Sequence, residues 1–218
     1  MLHFLDPCDP FLSIRAHEVP VGEITSPEIQ GLIDQMFAIA KGEREDLQKK
    51  VAIGLAAPQI GVSKRIILVD VGVDKDRKKM GELRVYINPQ IVWKSDELEE
   101  GRESCYSVDH RLSGIVWRPK SIVLNALDRD GNAITQEFTG FTARIFQHEI
   151  DHLDGNLFPD RIGKDGILHW VLEEEFPEYR KTWQSWPVKC PWEVWLAMKE
   201  GKPFEFFLDD DPFSKKKA

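Results

Sequence analysis

The sequence predicts an α+β fold, on three observations. Short β-branched runs recur between residues 65 and 138, an amphipathic helical pattern precedes them, and a second helix follows. Helices and strands do not alternate as βαβ units would require.

The elements follow in chain order. Residues 1–20 read as an extended arm with turn signals at Asp6-Pro7 and Asp9-Pro10. Ser26-Pro27-Glu28 is a helix start: a capping hydroxyl, proline at the first helical position, and an acid near the positive end of the dipole. Ile29, Leu32, Ile33, Met36, Phe37 and Ala40 then form one apolar stripe at helical spacing. Residues 41–50 are mostly charged and read as a solvated helix extension or loop.

Arg65 to Val71 is a β-branched strand run. Val85 to Pro89 and Ile91 to Trp93 make a second strand region, interrupted by proline. Ser121 to Asp128 leads into Arg129-Asp130-Gly131-Asn132, a hairpin turn, with Ala133 to Phe138 as the return strand. A second helix follows, with Thr139 or Thr142 to cap it and Gly155 to stop it. After Ile162 the composition shifts: five of the seven tryptophans (Trp170, Trp183, Trp186, Trp192 and Trp195) lie in residues 163–218. Helices are expected at 168–176 and 193–199, and the blocks Asp209-Asp210-Asp211 and Lys215-Lys216-Lys217 at a frayed end. The expected organisation is a main unit, residues 1–162, with an extension, 163–218, packed on it as a cover.

With 42% hydrophobic and 30% charged residues, the 218-residue chain has the composition of a soluble globular protein. A net charge of −8 argues against nonspecific binding to DNA or to an anionic membrane surface. The N-terminus has no basic, apolar leader pattern, and no run reaches membrane-spanning length. Three sparse cysteines, Cys8, Cys105 and Cys190, suit a reducing compartment, so a cytoplasmic monomer is expected.

The chemistry begins at His148-Glu149-Ile150-Asp151-His152. Residues four apart share a helix face, so His148 and His152 aim two imidazoles at one point, with Glu149 beside them. Two such histidines can hold a divalent metal, and the glutamate can act as general base. A third ligand is needed. Cys105 offers a thiolate, which suits Zn²⁺ or Fe²⁺, although by spacing alone a lone cysteine reads slightly better as a small buried apolar residue. A zinc endopeptidase reading would instead take His169 or Glu173 to Glu175. The run Val51-Ala52-Ile53-Gly54-Leu55-Ala56-Ala57-Pro58-Gln59 is rich in small residues that let a backbone approach a ligand, and Gln59 can donate toward a developing oxyanion. It reads equally well as a tight core turn.

Gly54-Leu55-Ala56-Ala57-Pro58-Gln59, Glu103-Ser104-Cys105-Tyr106-Ser107 and His148-Glu149-Ile150-Asp151-His152 resemble, in order, the three motifs of the peptide deformylases. Arg118-Pro119, Ala126 to Gly131, Gly140 to Arg144 and Leu153 to Arg161 extend the likeness over about residues 1–162. The resemblance implies antiparallel strands wrapped around a metal-binding helix, and removal of the formyl group from N-formyl-methionyl nascent peptides. It implies Cys105, His148 and His152 as metal ligands and Glu149 as acid and base. Gln59 and the backbone N–H of Tyr106 would form the oxyanion hole, and Gly54, Ile53 and Arg111 would contact substrate. Native Fe²⁺ is implied, with Zn²⁺, Ni²⁺ or Co²⁺ accepted, and the ribosome is a candidate partner. A noncatalytic relative that binds formylated peptides is the other alternative, and the intact Glu149 speaks against it. The chain departs from the pattern at Ala52 and Ser104, where the family usually has glycine, at Tyr106, where it has leucine, and at Asp109-His110, after which Arg111 is the best match for a substrate arginine. The ring of Tyr106 is expected to reshape the pocket for the first substrate side chain.

Overall fold

The computed structural model describes residues 2–45, 52–75 and 81–203. The Val51 end of the small-residue run, part of the charged stretch 41–50, and both charge blocks near the C-terminus lie outside the described residues.

Helix α1 (Pro27–Glu45) begins where Ser26 Oγ accepts the Ile29 N–H at 3.3 Å, and it buries Ile29, Ile33, Met36 and Ala40. Strands β1 (Gly54–Ala56), β2 (Ile66–Asp70), β3 (Leu83–Lys94), β6 (Ser121–Leu127) and β7 (Ala133–Thr139) form an antiparallel sheet in the order β1-β2-β3-β6-β7. Helix α2 (Gly140–Leu153) carries the His-Glu-x-x-His run and ends at Gly155 with φ +74°. Thr139 is its N-cap residue, but its side chain makes no capping bond.

The two helices sandwich the first strands of this sheet. Ile66, Leu68, Val85 and Ile87 share a core with α1, while Ile67, Val69 and Tyr86 share one with Phe146, Ile150 and Leu153 of α2. With both faces covered, β2 is buried at all five residues, which is why it reads as a continuous apolar run.

A second antiparallel sheet has the order β4-β5-β8, from β4 (Leu98–Glu103), β5 (Leu112–Pro119) and β8 (Ile167–Trp170). Helix α2 touches β5 as well as the larger sheet, so the face that carries His148 and His152 looks toward β4 and the turn behind it. Short helix α3 (Phe158–Ile162) packs on β5. Helices α4 (Phe176–Thr182) and α5 (Trp192–Lys199) complete the described chain.

Three readings need correction. The proline-interrupted strand region is one strand: β3 runs through Pro89 by means of a register shift, with Asn88 at φ +51° and its side chain bonded to both backbone groups of Val19. A bulge tolerates the missing proline N–H. The N-terminal arm is tied down rather than simply extended: Asp9 Oδ1 caps a 3-10 turn at Pro10–Ser13, and His17 bridges to Lys64. Residues 168–176 are not a helix. Ile167–Trp170 pairs with β5, Leu112 opposite Trp170, and the helix starts only at Phe176, where Pro177 falls in its first turn. An available strand edge decided between two periodicities that the short apolar run left open.

Candidate active site

The site is built from four segments. β1 and the following 3-10 turn (Ala57–Ile60) supply Gly54 and Gln59. β4 supplies Glu103, and the turn after it supplies Cys105 and Tyr106. Helix α2 supplies His148, Glu149 and His152 on one face. The Cys105 Sγ and one ring nitrogen from each histidine lie within 4.8 Å of one another, and Sγ stands 3.2 Å from His152 Nε2.

The electrostatics follow from burial and partners. Burial works against a charged Cys105, but the imidazoles of His152 and His148 outweigh it and hold the thiol well below its ordinary value. Burial likewise opposes charge on His148, and the Cys105 sulfur and the Glu103 carboxylate outweigh it, so His148 is raised well above its usual range. Glu103 accepts from His148 Nδ1 at 2.8 Å, which leaves Nε2 for the sulfur side and fixes the ring. Glu103 is in turn gripped by Arg118 at 2.6 and 2.8 Å and by Arg144 at 2.9 Å. Arg118 also donates to Asp151 at 2.9 Å, and Arg161 closes the chain on Asp151 from outside. Four buried charges thus satisfy one another behind the site.

Glu149 is 5% exposed, and its Oε2 has no hydrogen-bond partner among the described residues. Burial pushes its carboxyl up to about 7, against the opposite pull of the two imidazoles. A Cβ added at Gly54 would stand 2.2 Å from Glu149 Oε1, so any larger residue there would displace the Glu149 carboxyl. Gln59 is oriented at both ends: Oε1 accepts from the Ala56 N–H at 2.8 Å, and Nε2 donates to Ser107 Oγ at 3.1 Å while facing Cys105 Sγ at 3.5 Å.

These groups open on a cavity of about 420 Å³. Ile53, Gly54, Gln59, Cys105, Tyr106, His148 and Glu149 line it, while the third member of the ligand group, His152, is fully buried. The ring of Tyr106 also packs against Phe4, with centroids 5.1 Å apart. Arg111 is not brought to this cavity. Its guanidinium holds Asp109 at 2.7 and 2.9 Å and lies over the Trp170 ring at 4.4 Å. Arg102, Arg144 and Arg180 line the cavity instead. His169, the other ligand weighed, is bonded to the Tyr179 hydroxyl at 3.1 Å, and Glu173–Glu175 forms a 3-10 turn. Sequence reasoning missed the Glu103-Arg118-Asp151 support and the cavity residues from α4. Arg118 and Arg144 stood in the stretches that carried the resemblance, but nothing local showed that both reach Glu103.

The donors present suit a divalent metal. One sulfur biased to thiolate and two imidazoles converge, one imidazole is held by a carboxylate, and a buried carboxylate oxygen and His152 Nδ1 are without partners among the described residues. Such a mixed sulfur and nitrogen set fits Fe²⁺ or Zn²⁺.

The comparisons with known proteins point one way. The family model of polypeptide deformylase matches residues 1–166. A peptide deformylase of Natranaerobius thermophilus is 39% identical over 148 residues, covering 68% of this chain and 90% of that protein. One of Pseudomonas aeruginosa is 37% identical over 160 residues, covering 73% of this chain and 86% of that protein. Among solved structures, a class I type b peptide deformylase of Acinetobacter baumannii, crystallised with Met-Ala-Ser bound, superposes with a TM-score of 0.65 at 33% identity, covering 74% of this chain and 98% of the other.

Proposed function

The chain belongs to the peptide deformylase family and removes the N-formyl group from nascent peptides; from that premise we propose how its residues divide the work. The family is metal-dependent, and Cys105, His148 and His152 are the residues that would hold the ion. When bound, that ion supplies Lewis-acid polarisation and a lowered water pKa. We assign native Fe²⁺, with Zn²⁺, Ni²⁺ or Co²⁺ as substitutes, on the strength of a thiolate beside two imidazoles.

Glu149 takes the proton of the attacking water and returns it to the amine that leaves as formate separates. A carboxyl poised near neutrality suits both transfers. Gln59 Nε2, held by its own Oε1 bond to Ala56, and the Tyr106 backbone N–H donate to the formyl oxygen as it gains negative charge. Gly54 and Ile53 bring backbone alongside the substrate, and Gly54 leaves the space that Glu149 needs. The network Glu103-Arg118-Asp151 holds His148 in the ring orientation that faces the sulfur. That the Acinetobacter baumannii relative was crystallised with Met-Ala-Ser bound supports a peptide as the ligand class here. We further assign residues 1–162 as the catalytic unit and 163–218 as an extension docked on it, with action in the cytoplasm, as a monomer, on chains emerging from the ribosome. No helix among the described residues is long and apolar enough to cross a membrane.

The observation that carries the reading is the buried Glu149 carboxyl, its Oε2 without a partner among the described residues, beside three converging ligand atoms. The test is formate release from a formyl-Met-Ala-Ser amide under anaerobic conditions, with metal measured on the same sample. Glu149→Gln should keep the metal and lose at least about 10³-fold in turnover, within the range set by general acid and base catalysis. Full activity in the metal-loaded variant would remove Glu149 from the mechanism.

A further inference from the structure

The cavity that holds Glu149 and Cys105 is not formed by the family-matched residues alone. The match ends at residue 166, yet Arg180, in the last turn of α4, and Trp183, in the turn that follows, line the cavity too. Their placement is fixed from three sides. Tyr179, next to Arg180, is fully buried and bonded to His169. Trp183 packs on the small core of Val171, Phe176 and Tyr179. Gln184 Nε2 donates to Glu100 on β4 at 3.0 Å. The end of α4 is therefore pinned beside β4, the strand that leads to Cys105.

The lining residues Lys75, Glu99 and Arg180 are exposed and mark the solvent end of the cavity. Glu100 is engaged by Gln184, and the nearby Lys181 by Glu178. Arg180 has no ion pair or hydrogen bond through its guanidinium among the described residues. It is a cation offered to the cavity. A peptide entering formyl end first advances about 3.3 Å per residue, so the residues behind the methionine run outward toward this end.

We propose that α4 and the turn after it form the outer wall of the substrate cleft, and that Arg180 selects nascent peptides with an Asp or Glu in the first two positions behind formyl-methionine. A guanidinium meets a carboxylate in a planar two-point contact that an amide of the same shape does not match. The inference rests on the reading of this cavity as the deformylation site.

The test compares kcat/KM on four C-terminally amidated peptides: formyl-Met-Asp-Ala-Ser and formyl-Met-Ala-Asp-Ser, each against its Asn counterpart. The wild-type protein should prefer Asp over Asn at one position by about two- to fivefold, the scale of a partly exposed ion pair. The preference should fall toward one in Arg180→Gln, reverse in Arg180→Glu, and fade with added salt. Equal ratios in wild type and Arg180→Glu, or no wild-type preference at either position, would overturn it. Absence of hydrolysis of all four peptides by metal-loaded wild-type protein would instead overturn the reading of the cavity.

Discussion

Two histidines, half-buried His148 and fully buried His169, meet opposite fates. His148 lies between a carboxylate and a sulfur, and these outweigh burial and raise its pKa well above the usual value. His169 lies 1% exposed between β5 and α4, with a phenol hydroxyl as its partner and Lys189 nearby, and burial pulls it down to about 4. The residue type is the same, and so is the fact of enclosure. What differs is whether the surrounding groups can carry compensating negative charge. The first environment tolerates a cation, as a candidate ligand site must. The second makes a structural hydrogen bond that does not.

The comparison breaks most sharply if the carboxylate is taken from His148. Glu103→Gln leaves Arg118 and Arg144 buried with a lost charge partner, and should cost about 3–5 kcal/mol in denaturant unfolding. Because Glu103 also fixes the His148 ring, metal affinity should fall by about 10- to 100-fold. Affinity and stability both unchanged would mean that the network is decoration.

His169 sharpens the comparison through pH. Its folded pKa, about 4, lies below its ordinary unfolded value. Between roughly pH 6.5 and 4 the unfolded chain therefore binds a proton that the folded chain refuses, and stability is lost as the pH falls through that window. Above it the contribution is fully present. His169→Gln should flatten this loss by up to about 3 kcal/mol relative to wild type, read as the difference between two stability-versus-pH curves. Parallel curves would place the titration elsewhere.

The aromatic residues divide in the same way, with a smaller effect. Trp195 is fully buried in a core that it shares with Val108, Leu112, Leu157 and Phe158, while Tyr106 lines the cavity. Tyr106→Leu should leave the fold intact and shift kcat/KM for formyl-Met against formyl-norleucine peptides by about 1–3 kcal/mol at most. An unchanged ratio would mean that the ring is committed to Phe4 alone.

What was legible in the sequence follows from the range over which each signal acts. Helix α1, the β6–β7 hairpin and α2 were legible because caps, turn residues and periodicity are local. The candidate ligands His148 and His152 were legible for the same reason, sitting one helical turn apart. Cys105 was not: only the ordered motifs suggested it, since nothing within its own segment separates a ligand from a buried thiol. Strand β4 carries Glu99, Glu100, Arg102 and Glu103 and lacks apolar alternation, so pairing with β5 forms it against its own composition. The ion network was hidden altogether, because Glu103 meets Arg118 and Arg144 from 15 and 41 positions away. For the same reason Arg180 and Trp183 gave no sign that they would reach the cavity.

The central claim is that Cys105 completes the metal site and His169 has no part in it. The direct measurement is metal content per chain, after anaerobic loading and desalting, for wild type, Cys105→Ala and His169→Gln. One ion per chain is expected in wild type and in His169→Gln, and none retained in Cys105→Ala, where three ligands become two. One ion per chain retained in Cys105→Ala, with loss in His169→Gln, would contradict the account and restore the endopeptidase-type ligand set.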